Sequence, residues 1–140
     1  MNRKTLIAGL VGGVAAFLLG WAVYGIALDA FMKENTNQCA ALDMKDMNMM
    51  LVIIGNLTSG LVLSLILSWA NVTNFIGGMM KGAIVGLLYA LTFDLMMHSL
   101  STYFSNSTAL IVDVLASAVM SAIIGGVIGW MLGRGNSASA

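Results

Sequence analysis

Asp94 and His98 stand four residues apart inside an apolar run, Lys81 to Tyr103, that reads KGAIVGLLYALTFDLMMHSLSTY. Residues i and i+4 of a helix share nearly one face, so this spacing sets a carboxyl beside an imidazole. Such a pair can pass a proton between its members near neutral pH. Titratable groups inside a bilayer point to function, because lipid makes them costly to keep. Asp113, at the start of the last apolar run, and Asn56, inside the second, are predicted to reach a similar depth as partners. The chemistry these four residues suggest is a proton relay, or proton- or ion-linked transport through a small transporter or channel component. The plainer alternative is a non-catalytic interaction or structural subunit, in which they hydrogen-bond one another and fix the helix packing.

A second set suits a soft metal. Cys39, Met44, Met47 and Met49 cluster between the first and second apolar runs, and Met96 precedes His98 on the third. Thiolate, thioether and imidazole together suit Cu(I), which makes a Cu(I)-binding membrane protein a further alternative. Methionine is also an ordinary filler of apolar gaps. A zinc site would want more than the single Cys and single His present. No nucleophile motif, phosphate loop or dinucleotide fingerprint occurs, so nothing in the chain indicates an enzyme. No cofactor beyond that copper option is expected.

Composition says where these residues must sit. Of 140 residues, 59% are hydrophobic and 9% charged, against roughly a quarter charged in a soluble domain. Six basic and six acidic side chains cancel, so no net field draws nucleic acid to the chain. The apolar residues fall in four blocks, each long enough for the roughly 20 residues that cross a hydrocarbon core. One transmembrane domain over 1–140 is predicted, an all-α, polytopic four-helix bundle in a lipid bilayer. Its spans are about 6–31, 47–69, 79–103 and 109–132, with a polar outer loop at 32–46 and a flexible tail at 134–140. The first block is too long for a secretory signal of about 7–15 apolar residues, so it is read as a retained span.

Arg3, Lys4, Lys81 and Arg134 gather at one end of this layout, and Lys33 and Lys45 at the other. The excess of positive side chains marks the cytoplasmic side, so both termini are predicted inside.

Small residues recur every four positions in all four spans. Gly78, Gly82, Gly86, Ala90, Asp94 and His98 form one row; Asp113, Ser117, Ser121, Gly125, Gly129 and Gly133 form another. Asn56, Gly60, Ser64 and Ser68 mark the second span, and Gly12, Ala16, Gly20 and Tyr24 the first. Such rows let backbones approach closely, which is how helices associate in lipid. Their number exceeds what one small bundle is expected to bury, which predicts a homo-oligomer or a partner membrane subunit. Lys4-x-x-Ile7-x-Gly9-Leu10 echoes Lys81-x-x-Ile84-x-Gly86-Leu87, which suggests a repeat of two hairpins about an axis normal to the membrane.

Two short stretches carry a family resemblance. Ala16-Phe17-Leu18-Leu19-Gly20-Trp21-Ala22-Val23-Tyr24-Gly25 and Leu110-Ile111-Val112-Asp113 resemble the first-span and last-span elements of DUF1761, small four-helix bacterial membrane proteins. The resemblance implies a bacterial inner-membrane location. It brings no activity with it.

Overall fold

Four asparagines start the four long helices. The structure, a computed structural model, describes residues 2–38 and 46–134. In it the side-chain oxygens of Asn2, Asn48, Asn74 and Asn106 accept from the backbone N–H of Thr5, Leu51, Gly77 and Ala109 at 2.8, 3.3, 2.7 and 2.9 Å. Each satisfies a donor that the first helical turn leaves without a partner. The helices are α1 (Arg3–Ala22), α2 (Asp29–Asn35), α3 (Met49–Trp69), α4 (Phe75–Leu100) and α5 (Ser107–Gly133). A π-helical turn, Val23–Ala27, continues α1. The fold is all-α, and four helices are long and apolar enough to cross a membrane.

These bounds correct the sequence reading in two places. The first run is not one helix to residue 31: it loosens into the π-turn, breaks at Leu28 and restarts as the short α2. The third helix begins at Phe75, because Asn74 supplies the cap, and ends at Leu100, where Ser101 turns extended, earlier at both ends than expected.

The helices pair in sequence. Gly60 of α3 packs so closely on α1 that a methyl group there would collide with the backbone of Gly9 and Gly13. Gly78 of α4 meets the Gly125 carbonyl of α5 in the same way. Gly82, Gly86, Gly129 and Ser121 lie along that second seam, and the Ser117 carbonyl faces Gly86. A third, looser contact joins the hairpins, with Gly12 of α1 against Ile128 of α5. Helix α1 thus uses Gly9 and Gly13 against α3 rather than the whole expected row, and Gly20 has only the Met120 methyl within reach. One chain therefore absorbs most of the glycines whose number had suggested an oligomer. Gly55 faces open space.

Helices α3 and α4 scarcely touch, although they are consecutive. The turn at residues 70–74 sends them apart. Val72 N donates to Leu67 O at 3.0 Å and Asn71 N to Ser68 O at 3.1 Å, with Asn71 at a φ of 53°. That is a Schellman-type stop with a left-handed residue, a conformation asparagine tolerates better than most. Lys81 Nζ donates to Ala70 O at 2.8 Å and holds the turn from the α4 side.

Candidate functional site

Asp94 is the buried charge of this fold. It lies six residues before the end of α4, and Asp113 six residues after the start of α5. In an antiparallel hairpin both are therefore about 9 Å in from the same end. The Asp94 side chain is only 4% exposed. Its Oδ2 is buried with no hydrogen-bond partner, and Asp113 borders the same cavity, close enough for its carboxyl to act on Asp94. Two carboxyl groups hydrogen-bond only when one of them carries a proton. Without that proton, two like charges face each other away from water.

Tyr24 completes the cluster. Its hydroxyl lies 3.2 Å from Ser117 Oγ and makes a longer contact, 3.5 Å, with the Asp113 carbonyl. It stands on the π-helical turn, a rare element that often marks functional positions. The sequence places Tyr24 only in the four-residue row of the first span. The signal was present, since Tyr24, Asn56, Asp94 and Asp113 each sit in their helix's four-residue row, at or near the same end.

These four side chains border one cavity of about 620 Å³. Asn56 is half-buried there, its amide donating to Val52 O at 2.9 Å. Its lining comes from α1 and the π-turn, α3, α4 and α5; α3 and α4 scarcely touch, so the gap between them is its opening. Val62, Tyr89 and Phe93 at that opening are 51%, 75% and 56% exposed, at mid-helix. The mouth therefore faces sideways, along the length of α3 and α4 rather than at an end of the bundle.

The end of the bundle that carries α2 and the α4–α5 link is closed instead. Phe104, in the link after α4, is buried among Ala90, Ala109, Leu110 and Val114, with Phe31 and Met32 of α2 packed against them. Asn37 N donates to Tyr103 O at 2.7 Å, Ser105 N to Asn35 O at 2.9 Å, and Asn106 Nδ2 to Asn35 Oδ1 at 2.6 Å. Thr36 and Phe104 form an antiparallel bridge. Tyr103, in this clasp, has its phenol pushed above its ordinary value, first by burial and then by the negative charge of Asp113.

His98 stands apart from the cluster. It is exposed, its nearest ring neighbour is Phe104 at 6.4 Å between centroids, and no hydrogen bond joins it to Asp94 among the described residues. The expected Asp94–His98 pair is thus replaced by Asp94–Asp113. Each four-residue step overshoots a turn by about 40°. The row from Gly78 to Asp94 stays buried against α5; one step beyond, α5 has given way to its cap and Phe104 fills the space.

Of the candidate copper ligands, Cys39 and Met44 lie outside the described residues. Met47, Met49 and Met96 are 45%, 45% and 56% exposed. Among the described residues, no three His, Cys, Asp or Glu side chains group to hold a metal ion. No family model, curated protein or solved structure matches this chain.

Proposed function

We propose that this chain is a membrane-embedded, proton-linked transporter or channel component whose proton-binding site is the Asp94–Asp113 pair. One observation carries the reading: a buried, unpartnered carboxyl oxygen beside a second carboxyl, on the wall of a cavity. A purely structural contact would be expected to satisfy that oxygen, since a buried polar group without a partner costs about 1–3 kcal/mol. Binding a proton joins the two acids. Releasing it leaves a negative site with no Lys, Arg or His among the residues lining the cavity, which a cation then has to balance. The Tyr24 and Ser117 hydroxyls continue the polar path from Asp113 along the α1–α5 contact. The resemblance to DUF1761 proteins supplies no activity, so the reading rests on this geometry. The basic residues Arg3, Lys4, Lys81 and Arg134 support a cytoplasmic placement of that end, and the bacterial inner-membrane location follows from the resemblance alone.

A second reading, a structural subunit, draws on Asp94 lying in the same buried row as Gly78, Gly82 and Gly86. Proton flux in liposomes separates the two. Asp94→Asn and Asp113→Asn should each lower flux on the order of a hundredfold, the lower end of the scale for a proton-transfer group, while His98→Ala leaves it unchanged. A silent wild type whose Asp variants only melt earlier would sink the transport reading. Loss of flux in His98→Ala alone would restore the imidazole as the partner.

A further inference from the structure

The cavity is far larger than a proton-binding site needs. At about 620 Å³ it falls in the range that holds a drug-sized molecule, roughly 300–1,000 Å³. Its walls are mostly apolar, with Val62, Leu63, Ile66, Val85 and Ile124 among them, and two aromatic rings, Tyr89 and Phe93, stand at the mouth. The charged groups on its surface are Asp94 and Asp113, and no cationic side chain balances them there. An anion would meet two acids. A neutral apolar molecule would leave the Asp94 oxygen without a partner. A strongly hydrated inorganic ion would gain nothing from the apolar walls or from a mouth that opens sideways.

We infer that the cavity takes a lipophilic organic cation, an amine or quaternary onium ion with an apolar body, which enters between α3 and α4 from the hydrocarbon side and sets its charge against the Asp94–Asp113 pair. The inference rests on the preceding reading that this pair is the proton-binding site. Cation and proton then compete, because the carboxyl that gives up its proton is the one that receives the cation. The rings of Tyr89 and Phe93 suit the passage, since aromatic faces attract organic cations. Asn56 and Ser117 offer uncharged hydrogen-bonding groups, so a permanent onium ion and a protonated amine are both accommodated.

The probes are tetraphenylphosphonium and tetraphenylborate, which share one shape and carry opposite charge. Each is measured by equilibrium dialysis against the full chain in lipid nanodiscs, with protein-free nanodiscs as the baseline for partition into lipid. The expected result is saturable binding of the phosphonium alone, weakened at least about tenfold, or about 1.4 kcal/mol, by Asp94→Asn and by lowering the pH. Binding of both ions alike would overturn the proposal, as would saturable binding indifferent to pH. Absence of saturable binding would also overturn it, and a cleft covered by a second copy of the chain would give that result. The wild-type comparison of the two ions decides without any variant, so a misfolded Asp94→Asn leaves the test intact. Proton flux that depends on Asp94 together with no phosphonium binding would reject the substrate class and keep the proton site. Loss of both would reject the two together.

Discussion

Among the described residues, each hairpin seam holds a buried polar cluster, and the two are built to opposite rules. At the end of the α1–α3 seam nearest Asn2, Ser64 Oγ donates to Thr5 O at 2.6 Å, Thr5 Oγ1 donates to Asn2 Oδ1 at 2.8 Å, and Ser68 Oγ lies 3.2 Å from the same threonine. Ser64 and Thr5 are 0% and 1% exposed, and both hydroxyls have partners. Near the end of the α4–α5 seam closest to Phe104, Asp94 is almost as buried, at 4%, yet its Oδ2 has no donor. The first cluster is neutral and lies against packed backbone. The second is acidic and lies against a cavity. Burial alone does not separate a structural contact from a working group; burial without a partner, next to empty space, does.

The largest blow to the comparison is struck where the seams are tightest. Gly60→Val places side-chain atoms into the backbone of Gly9 and Gly13, which cannot move as a flexible side chain can. Overpacking costs about 1–3 kcal/mol in a yielding core, and about 3 kcal/mol or more is expected here, read as loss of folded protein in a denaturant titration in detergent. A tolerated valine would mean that α1 and α3 are held by something other than this close approach.

The next pair of variants sets one cluster against the other. Ser64→Ala removes a hydroxyl whose interhelical bond is worth about 0.6 kcal/mol on the average for membranes, so a small fall in stability and unchanged proton flux are expected. Asp94→Asn should do the reverse. Its amide can donate to the Asp113 carboxyl, so stability holds or rises while flux falls. If Ser64→Ala silences flux, or Asp94→Asn unfolds the chain with no other effect, the clusters do not differ in kind.

Much of this arrangement was legible in the sequence, and the rest depended on how the helices meet, turn and end. The four apolar blocks gave the four long helices, because length and hydropathy act along the chain. The small-residue rows pointed to both seams, because a glycine or serine every fourth position exposes backbone on one face. Asp94 with His98 failed because i,i+4 proximity is a property of one isolated helix. In the fold, α5 and Phe104 decide which way that face ends, and they reach Asp94 but leave His98 outside. Tyr24 escaped because nothing in Trp-Ala-Val-Tyr-Gly announces a π-turn, which rotates the residues within it relative to a regular helix. The caps at Asn2, Asn48, Asn74 and Asn106 are local signals too: each asparagine immediately precedes its helix and marks where it starts.

The smallest expected effect tests the charge itself. Tyr103 lies outside the long helices, in the clasp beyond α4, and its phenol titrates above the ordinary 10.0 because of burial and then because of Asp113, with Asp94 adding a lesser push and a hydrogen bond with Thr36 opposing them. The folded chain holds that proton more tightly than the unfolded one. The stabilisation this brings is complete below about pH 10 and is lost as the pH rises through the folded value. Asp113→Asn removes one source of the shift, so the Tyr103 titration should move back down, towards but not onto 10.0, since burial remains. Carbon NMR of Cζ-labelled tyrosine follows Tyr103 separately from Tyr24 and Tyr89. Ser64→Ala should leave the titration where it was, because the Ser64 cluster carries no charge to lose. A Tyr103 titration indifferent to Asp113→Asn would mean that the acid pair is neutral even at alkaline pH. The two polar clusters would then differ in hydrogen bonding but not in charge, and the cation proposed for the cavity would have no negative site to meet.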